Sequence, residues 1–102
     1  LEVMEHLELG LPLIDTRPAE VHASGTIPGA RNIPHAETLQ RISELDPKQP
    51  AIFFCNGPQC GATPDAIDVL LAAEHPPTAI RYYRGGMHDW ISLGLPTETP
   101  CP

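Results

Sequence analysis

Two cysteines five residues apart are the strongest candidates for chemistry in this chain of 102 residues. Cys55 and Cys60 stand in the stretch FFCNGPQCG, residues 53–61, which contains no charged residue. A cysteine that ends a buried strand can act as a nucleophile, as half of a redox pair, as a metal ligand or as a small apolar side chain. Taken alone, Cys55 fits the apolar role best. The short polar loop after it, which leads directly into a new helix, favours a chemical role.

Metal binding is the weakest of these alternatives. A Cys-x4-Cys pair without a second Cys or His pair at ligand spacing is a poor zinc signature. The five histidines are scattered singly along the chain, at His6, His22, His35, His75 and His88. Each is expected to be a surface or hydrogen-bonded structural residue. His88, which closely follows two glycines, could also line a pocket around Cys55. The sequence therefore predicts no metal site.

The secondary structure that must position Cys55 follows from apolar runs and from the 13 prolines. Strands are predicted at 12–15, 51–55 and 78–83, with a short extended segment at Asn32-Ile33. Helical segments are predicted at 1–9, 17–25, 37–45 and 86–94, and from Thr63 onwards. Strands that alternate with helices predict one α/β domain with an open, mainly parallel central sheet and helices on both faces.

The helix after the cysteine loop has a clear start signal. Thr63 suits the N-cap, Pro64 the first helical position, and Asp65 the first turn. Its buried side is predicted to consist of Ile67, Leu70 and Leu71. Three glycines, Gly29, Gly85 and Gly86, are predicted to occupy turns that need conformational freedom in φ. Residues 97–102, which include Cys101, are predicted to form a frayed tail or the start of a linker.

Three strand ends are expected to meet at one edge of the sheet. In open parallel sheets the ligand crevice lies beyond the carboxyl ends of the strands. These ends are residues 15–17, 55–61 and 83–86. Cys55 then lies between a strand and a helix N-terminus, where backbone N–H groups and the helix dipole stabilise an anion and lower the pKa of a thiol. This position predicts a nucleophilic thiolate that needs no neighbouring base.

Composition excludes several classes of function. A net charge of −7 with only six basic residues argues against a nucleic-acid partner, which would need Lys and Arg. No apolar run approaches the roughly 20 residues of a membrane span, so no membrane partner is expected. Three cysteines are too few for a disulfide scaffold, which predicts a cytoplasmic protein. The chain starts without Met, which is consistent with excision from a longer protein.

Three blocks of the sequence, in order, resemble the rhodanese-like (sulfurtransferase) domain family. LIDTRPAEVHASGTIPGARNIP, residues 13–34, is similar to the family's Asp-x-Arg and Gly-His-Ile-Pro-Gly-Ala-x-Asn-Ile-Pro segments, with Thr26 where His is usual. IFFCNGPQCGAT, residues 52–63, resembles its strand and active-site loop. YYRGGMHDWISLGLP, residues 82–96, resembles its closing Gly-Gly-x-x-x-Trp and Gly-x-Pro signature. The opening helix also fits the family, whereas the family's first strand is missing or clipped.

The resemblance implies a mechanism without metal or organic cofactor. Cys55 would take sulfur from a small sulfur donor, become a persulfide, and pass the sulfur to a thiol acceptor, either a small molecule or a partner protein. The resemblance also implies that the substrate sulfur is bound by backbone N–H groups of the loop, those of Asn56, Gly57, Gln59, Cys60 and Gly61. Asp15 and Arg17 are implied to be structural supports, with Arg17 paired to a nearby carboxylate.

Departures from the family narrow the expected substrates. Thiosulfate-using members commonly carry Arg or Lys in the loop, often where this chain has Cys60, and Pro58 removes one amide from the loop. Thiosulfate is therefore a poor expected donor, although Arg84, near the end of the last strand, is a candidate to compensate. Without a basic residue between Cys55 and Thr63, phosphatase activity of the kind found in related folds is excluded.

Two alternatives stay open at this point. Cys60 is either a resolving thiol that attacks the persulfide or a loop residue whose side chain is inert, and the inert role is favoured. The domain itself is either an enzyme or a non-catalytic docking or redox-sensing module of a larger protein. Retention of Cys55 and of a glycine-containing loop favours the enzyme.

Overall fold

The sheet of this computed structural model has four parallel strands in the order β2-β1-β3-β4, and the structure describes residues 10–57 and 61–99. The strands are β1 (Leu13–Asp15), β2 (Arg31–Asn32), β3 (Ala51–Phe54) and β4 (Ile80–Tyr82). The helices are α1 (Ala19–Ser24), α2 (Ala62–Ala72) and α3 (Gly86–Ser92), and 3-10 turns occur at His35–Glu37, Ile42–Glu44 and Pro77–Ala79. This architecture confirms the predicted α/β fold. The helix predicted at 1–9 lies outside the described residues.

Strand β3 is central because both of its faces are apolar. All four of its residues are buried, and it pairs with β1 on one side and β4 on the other. Phe54 and Ile52 face a core that includes Met87 and Trp90 of α3. Phe53 and Ala51 face a second core that includes Leu70 of α2. Helices therefore cover both faces, as the uninterrupted apolar run predicts.

Helix α2 buries Leu70 as predicted, but Ile67 is only half-buried. Thr63, Ala66 and Leu70 are its buried residues, at the spacing of one helical face. Leu71 was predicted to be buried but is 45% exposed. Thr63 is not the N-cap either, because the helix begins at Ala62 after Gly61, and the Thr63 side chain is engaged elsewhere.

The predicted helix at 37–45 is also wrong. Arg41 has φ −109° and ψ 13°, which separates two 3-10 turns. The Arg41 guanidinium donates to the Asn32 carbonyl oxygen at 2.9 Å and to the Glu44 carboxylate at 2.6 Å. The short turns place Ile42 and Leu45 against the second core, which buries apolar area that offsets the loss of a regular helix.

The C-terminal segment is not frayed where it is described. The backbones of Glu98 and Thr26 exchange two hydrogen bonds of 2.9 Å in an antiparallel bridge. The Glu98 carboxylate also accepts from the Gly29 N–H at 2.9 Å. The prediction of a tail from residue 97 therefore fails at Glu98, and Cys101 lies beyond the part described.

Within residues 10–57 and 61–99, none of the helices has the length and apolar character needed to cross a membrane.

Candidate functional site

The Cys55 thiol lies directly beyond the carboxyl end of the central strand. Its side chain is buried, with 1% of the residue exposed, and its Sγ lies 3.8 Å from the Gly57 carbonyl oxygen. Asn56 is exposed and Gly57 is buried. The chain therefore turns immediately after Cys55, and the Gly57 carbonyl group lies against the thiol.

Helix α3 fixes the backbone of the loop. The Met87 N–H donates to the Cys55 carbonyl oxygen at 2.9 Å, and the His88 N–H donates to the Asn56 carbonyl oxygen at 2.7 Å. Gly86, with φ +55°, lies so close that a Cβ there would be 2.2 Å from the Cys55 oxygen. These contacts make the first turn of α3 a direct support for the Cys55 peptide group.

A pair of threonines brings the start of α2 to the same strand end. The Thr16 hydroxyl donates to the Phe54 carbonyl oxygen at 2.9 Å and lies 2.9 Å from the Thr63 hydroxyl. Both threonines are fully buried. Since Phe54 precedes Cys55, the first turn of α2 lies beside the strand end that carries the thiol. Sequence patterns did not reveal this contact, because it joins residues 47 positions apart.

A buried ionic network supports the loop from the β1 side. The Asp15 carboxylate accepts from the Arg17 Nε at 2.9 Å and from its terminal nitrogen at 2.7 Å. It also accepts from Thr26 Oγ1 at 3.0 Å and lies 2.9 Å from His22 Nδ1. Burial raises the pKa of Asp15, but the hydrogen bonds from Arg17 and His22 together with the Arg17 charge outweigh burial and lower it. Asp15 is therefore held as an anion.

Arg17 connects this network to Asn56, the residue after Cys55. Its second terminal nitrogen donates to Asn56 Oδ1 at 3.3 Å, and its first also donates to the Gly25 carbonyl oxygen at 2.6 Å. The guanidinium is almost completely buried, with 6% of the side chain exposed. Arg17 thus orients the Asn56 side chain, and its charge is balanced by Asp15 inside the protein. It contributes little net positive charge to the cleft.

Comparison with known proteins agrees with this arrangement. The family model for the rhodanese-like domain matches residues 1–93. The chain belongs to the rhodanese-like domain family. A rhodanese-related protein from Thermoplasma volcanium has the same fold, with a TM-score of 0.75 at 18% identity over 96% of this chain and 92% of that one.

Two further relatives of this rhodanese-like domain are much longer than it is. A thiosulfate sulfurtransferase from Pseudomonas aeruginosa superposes with a TM-score of 0.75 at 29% identity, covering 95% of this chain but 19% of that one. The HTH-type transcriptional regulator Rv0324 of Mycobacterium tuberculosis is 34% identical over 99% of this chain, which corresponds to 44% of the regulator. The chain therefore spans less than half the length of the curated relative it matches.

The structure brings together part of the predicted site. Asn56 and Gly57 follow Cys55 in the loop, and Gly61 is the N-cap of α2. Gln59 and Cys60 lie outside the described residues, so their roles stay predictions. Asp15 and Arg17 are joined as described above. Among the residues that the structure covers, no three His, Cys, Asp or Glu side chains cluster in a way that could hold a metal ion.

Arg84 lies at the corner of the turn that packs on the loop. The Gly86 N–H donates to the Tyr83 carbonyl oxygen at 3.1 Å, which closes a turn around Arg84 and Gly85. Arg84 is exposed, and the Gly85 oxygen would lie 3.7 Å from a Cβ on Gly57. His88 is a second neighbour of Gly57, since its Cβ would lie 3.3 Å from the same Cβ built on Gly57. The sequence predicted only that His88 could line the pocket. Arg84 and His88 therefore flank the loop in this rhodanese-like domain.

Tyr83 and Asp89 hold this turn closed. The Tyr83 hydroxyl donates to Asp89 Oδ2 at 2.8 Å. Burial, followed by the hydrogen bond and the charge of Asp89, raises the pKa of Tyr83 to about 12. Because the folded-state pKa is the higher one, the interaction stabilises the fold below the ordinary tyrosine value and is lost as pH rises through the folded value.

A spectrophotometric titration of Tyr83 checks this arrangement. The chain has two tyrosines, so a Tyr82→Phe variant leaves Tyr83 as its single source of phenolate absorbance. We expect that absorbance to appear with a midpoint near pH 12, the pKa of Tyr83 in the fold. Circular dichroism at each pH verifies that the domain is still folded. A midpoint near pH 10 in folded protein would show that both the burial of Tyr83 and its contact with Asp89 are absent.

Proposed function

We propose that this rhodanese-like domain is a sulfurtransferase that carries sulfane sulfur on Cys55. The observation that supports this most strongly is the position of the thiol, buried at the end of the central strand and next to the start of α2. The first N–H groups of a helix have no partner within the helix. Together with the helix dipole they favour a thiolate and, after sulfur uptake, a persulfide anion.

The proposed reaction has two displacement steps. In the first, the Cys55 thiolate attacks the outer sulfur of the donor. A bond forms between the Cys55 sulfur and that sulfur, and the donor's own S–S bond breaks; from thiosulfate the leaving group is sulfite. In the second, an acceptor thiolate or cyanide attacks the outer sulfur of the persulfide and leaves with it, which restores the Cys55 thiolate. No net oxidation occurs, and no metal or organic cofactor takes part.

The charges around the thiol favour donors of low charge. Loop residues 55–57 are uncharged, and the Arg17 charge is balanced by Asp15. Arg84 is exposed, so its attraction for an anion is weakened by solvent. A low-molecular-weight persulfide therefore suits the site better than the thiosulfate dianion. The acceptor that we propose is a thiol, either free or on a partner protein.

Intact-mass measurement tests this proposal. Wild-type protein and a Cys55→Ser variant are incubated separately with thiosulfate and with a low-molecular-weight persulfide. We expect wild type to gain one sulfur mass, about 32 Da, which cyanide removes as thiocyanate, while the variant gains none at position 55. The persulfide donor is expected to load the protein faster than thiosulfate. A folded wild-type protein with reduced thiols that takes up no sulfur from either donor overturns the proposal.

A sensory role is the second candidate. It is supported by the similarity to a transcriptional regulator over less than half of that protein's length. In such a role Cys55 would be modified once and would hold the sulfur, instead of passing it on repeatedly. Turnover separates the two candidates: an enzyme forms many equivalents of acceptor persulfide per domain, whereas a sensor stops after about one equivalent.

A further inference from the structure

We infer that His88 is a specificity-determining residue that selects the sulfur donors and other reagents of Cys55 by their charge. This inference extends the proposed sulfur transfer, since it concerns the same thiol. His88 belongs to α3, one residue after Met87, whose N–H donates to the Cys55 carbonyl oxygen. His88 is exposed, and both its backbone and its Cβ lie against the loop.

Two contacts fix the base of the His88 side chain. Its N–H donates to the Asn56 carbonyl oxygen at 2.7 Å, so its backbone cannot move independently of the loop. Its Cβ would lie 3.3 Å from a Cβ built on Gly57, which is tighter than ordinary van der Waals contact. Because Gly57 has no side chain, His88 occupies the space that a side chain at position 57 would otherwise fill.

Gly57 in turn contacts the nucleophile. Its carbonyl oxygen lies 3.8 Å from Cys55 Sγ. The thiol, Gly57 and His88 are thus consecutive neighbours, and the Cys55 side chain is buried whereas His88 is exposed. A reagent that approached Cys55 past Gly57 would therefore pass beside His88. A charge on the side chain at position 88 would then act on that reagent.

The other charged side chains at this end of the domain are either hydrogen-bonded, ion-paired or exposed. Asp89, its neighbour on α3, accepts from the Tyr83 hydroxyl. Asp65, in the first turn of α2, and Arg84, in the turn before α3, are both exposed. Arg17 is paired with Asp15. Replacing His88 by Arg, Gln or Glu places a positive, a neutral or a negative side chain at this position.

Alkylation of Cys55 by two reagents that differ only in charge tests the inference. Iodoacetate is an anion and iodoacetamide is neutral, and peptide mass spectrometry reads the modification at Cys55. The measured quantity is the ratio of the two rate constants in each protein. Changes in thiolate fraction or in access alter both rates and cancel in this ratio. The variants are His88→Arg, His88→Gln and His88→Glu.

We expect the iodoacetate-to-iodoacetamide ratio to fall in the order His88→Arg, His88→Gln, His88→Glu. A unit charge about 6 Å from an anion shifts the ratio by about threefold in water and more in a partly desolvated cleft. Equal ratios in the three variants would overturn the inference.

A matched variant controls for net charge. Glu74→Gln changes the net charge by one unit at an exposed position just beyond the far end of α2. We expect it to leave the ratio within about 1.5-fold of wild type, because solvent and salt screen a charge at that distance. A shift as large as that of His88→Arg would assign the effect to overall charge and overturn the role of His88.

Alkylation also separates this inference from the proposed function. It requires the Cys55 thiol but no sulfur transfer. If the ratio follows the charge at position 88 while no persulfide forms, sulfur transfer fails and charge selection by His88 stands. If a persulfide forms while the ratio is the same in all three variants, sulfur transfer stands and the role of His88 fails.

Discussion

Replacing Asp15 by Asn is expected to lower the free energy of unfolding by about 3–5 kcal/mol, because it leaves a buried guanidinium without its anion. The Asp15 side chain is fully buried and that of Arg17 is 6% exposed, so water cannot take the place of the lost partner. An amide also presents an N–H₂ group to donors from Arg17, His22 and Thr26, where the carboxylate only accepts. Urea denaturation of both proteins at neutral pH measures the loss.

The direction of the pKa shift of Asp15 determines how the loss of stability in Asp15→Asn depends on pH. The pKa of Asp15 is lowered in the fold from its ordinary value of 3.8. Its contribution is therefore complete above that value and disappears as pH falls through the folded-state pKa. The stability difference between wild type and Asp15→Asn should accordingly be constant from neutral pH down to about pH 5. It should then narrow below pH 3.8, where the unfolded chain binds a proton that the folded protein refuses.

A surface ion pair provides the matched control. Glu44 pairs with Arg41 at 2.6 Å, but the two side chains are 37% and 29% exposed. Glu44→Gln also removes one carboxylate from a short ion pair, yet water can solvate the arginine that remains. We expect its effect on stability to be far smaller than that of Asp15→Asn. Comparable losses would show that burial is not what makes the Asp15–Arg17 pair important.

The consequence for the site is indirect and can be measured separately. Arg17 orients Asn56 through a hydrogen bond of 3.3 Å, and Asp15 holds Arg17. In Asp15→Asn protein that is still folded, the loop should lose this constraint. The rate constant for alkylation of Cys55 by neutral iodoacetamide should then differ from that of wild type. An unchanged rate constant would show that the ionic network contributes to stability but does not affect the Cys55 loop.

Sequence patterns sufficed for the parts of the fold that depend on local apolar runs. The run 51–55 predicts a central strand, and Cys55 does lie directly after its carboxyl end. Trp90, the tryptophan of the closing Gly-Gly-x-x-x-Trp signature, is 4% exposed. In both cases the deciding interaction is burial of contiguous apolar residues, which composition and spacing record directly.

Side-chain contacts between distant segments could not be predicted in the same way. The Thr63 hydroxyl was expected to cap its own helix, but it lies 2.9 Å from that of Thr16. Nothing near either residue marks that choice, since both hydroxyls have local alternatives. The two neighbouring glycines show the same limit. Gly85 has φ −64°, so it does not use the conformational freedom in φ that was predicted for it, whereas Gly86 has φ +55°.

Gly86 is the position where a single methyl group should disturb the site most. A Cβ there would lie 2.2 Å from the Cys55 carbonyl oxygen and 2.9 Å from its carbon, both backbone atoms that cannot rotate away. The residue also has φ +55°, which costs an alanine about 1–2 kcal/mol even in open space. We therefore expect Gly86→Ala to cost about 3 kcal/mol or more, measured by urea denaturation.

Gly94 separates the two causes of that loss. It has φ +72° and no heavy atom within 4 Å of a Cβ built on it, and it closes the same α3 region. Gly94→Ala therefore includes the backbone cost without the clash, and it should destabilise the domain by about 1–2 kcal/mol. The excess in Gly86→Ala then measures how strongly the Cys55 peptide group is held. Since that group belongs to Cys55, relieving the clash must displace the loop. The sulfur uptake proposed for Cys55 should therefore fall in folded Gly86→Ala protein, while Gly94→Ala retains it. Equal stability losses in the two variants would mean that the loop yields to a methyl group without strain, and that α3 does not fix Cys55 in place.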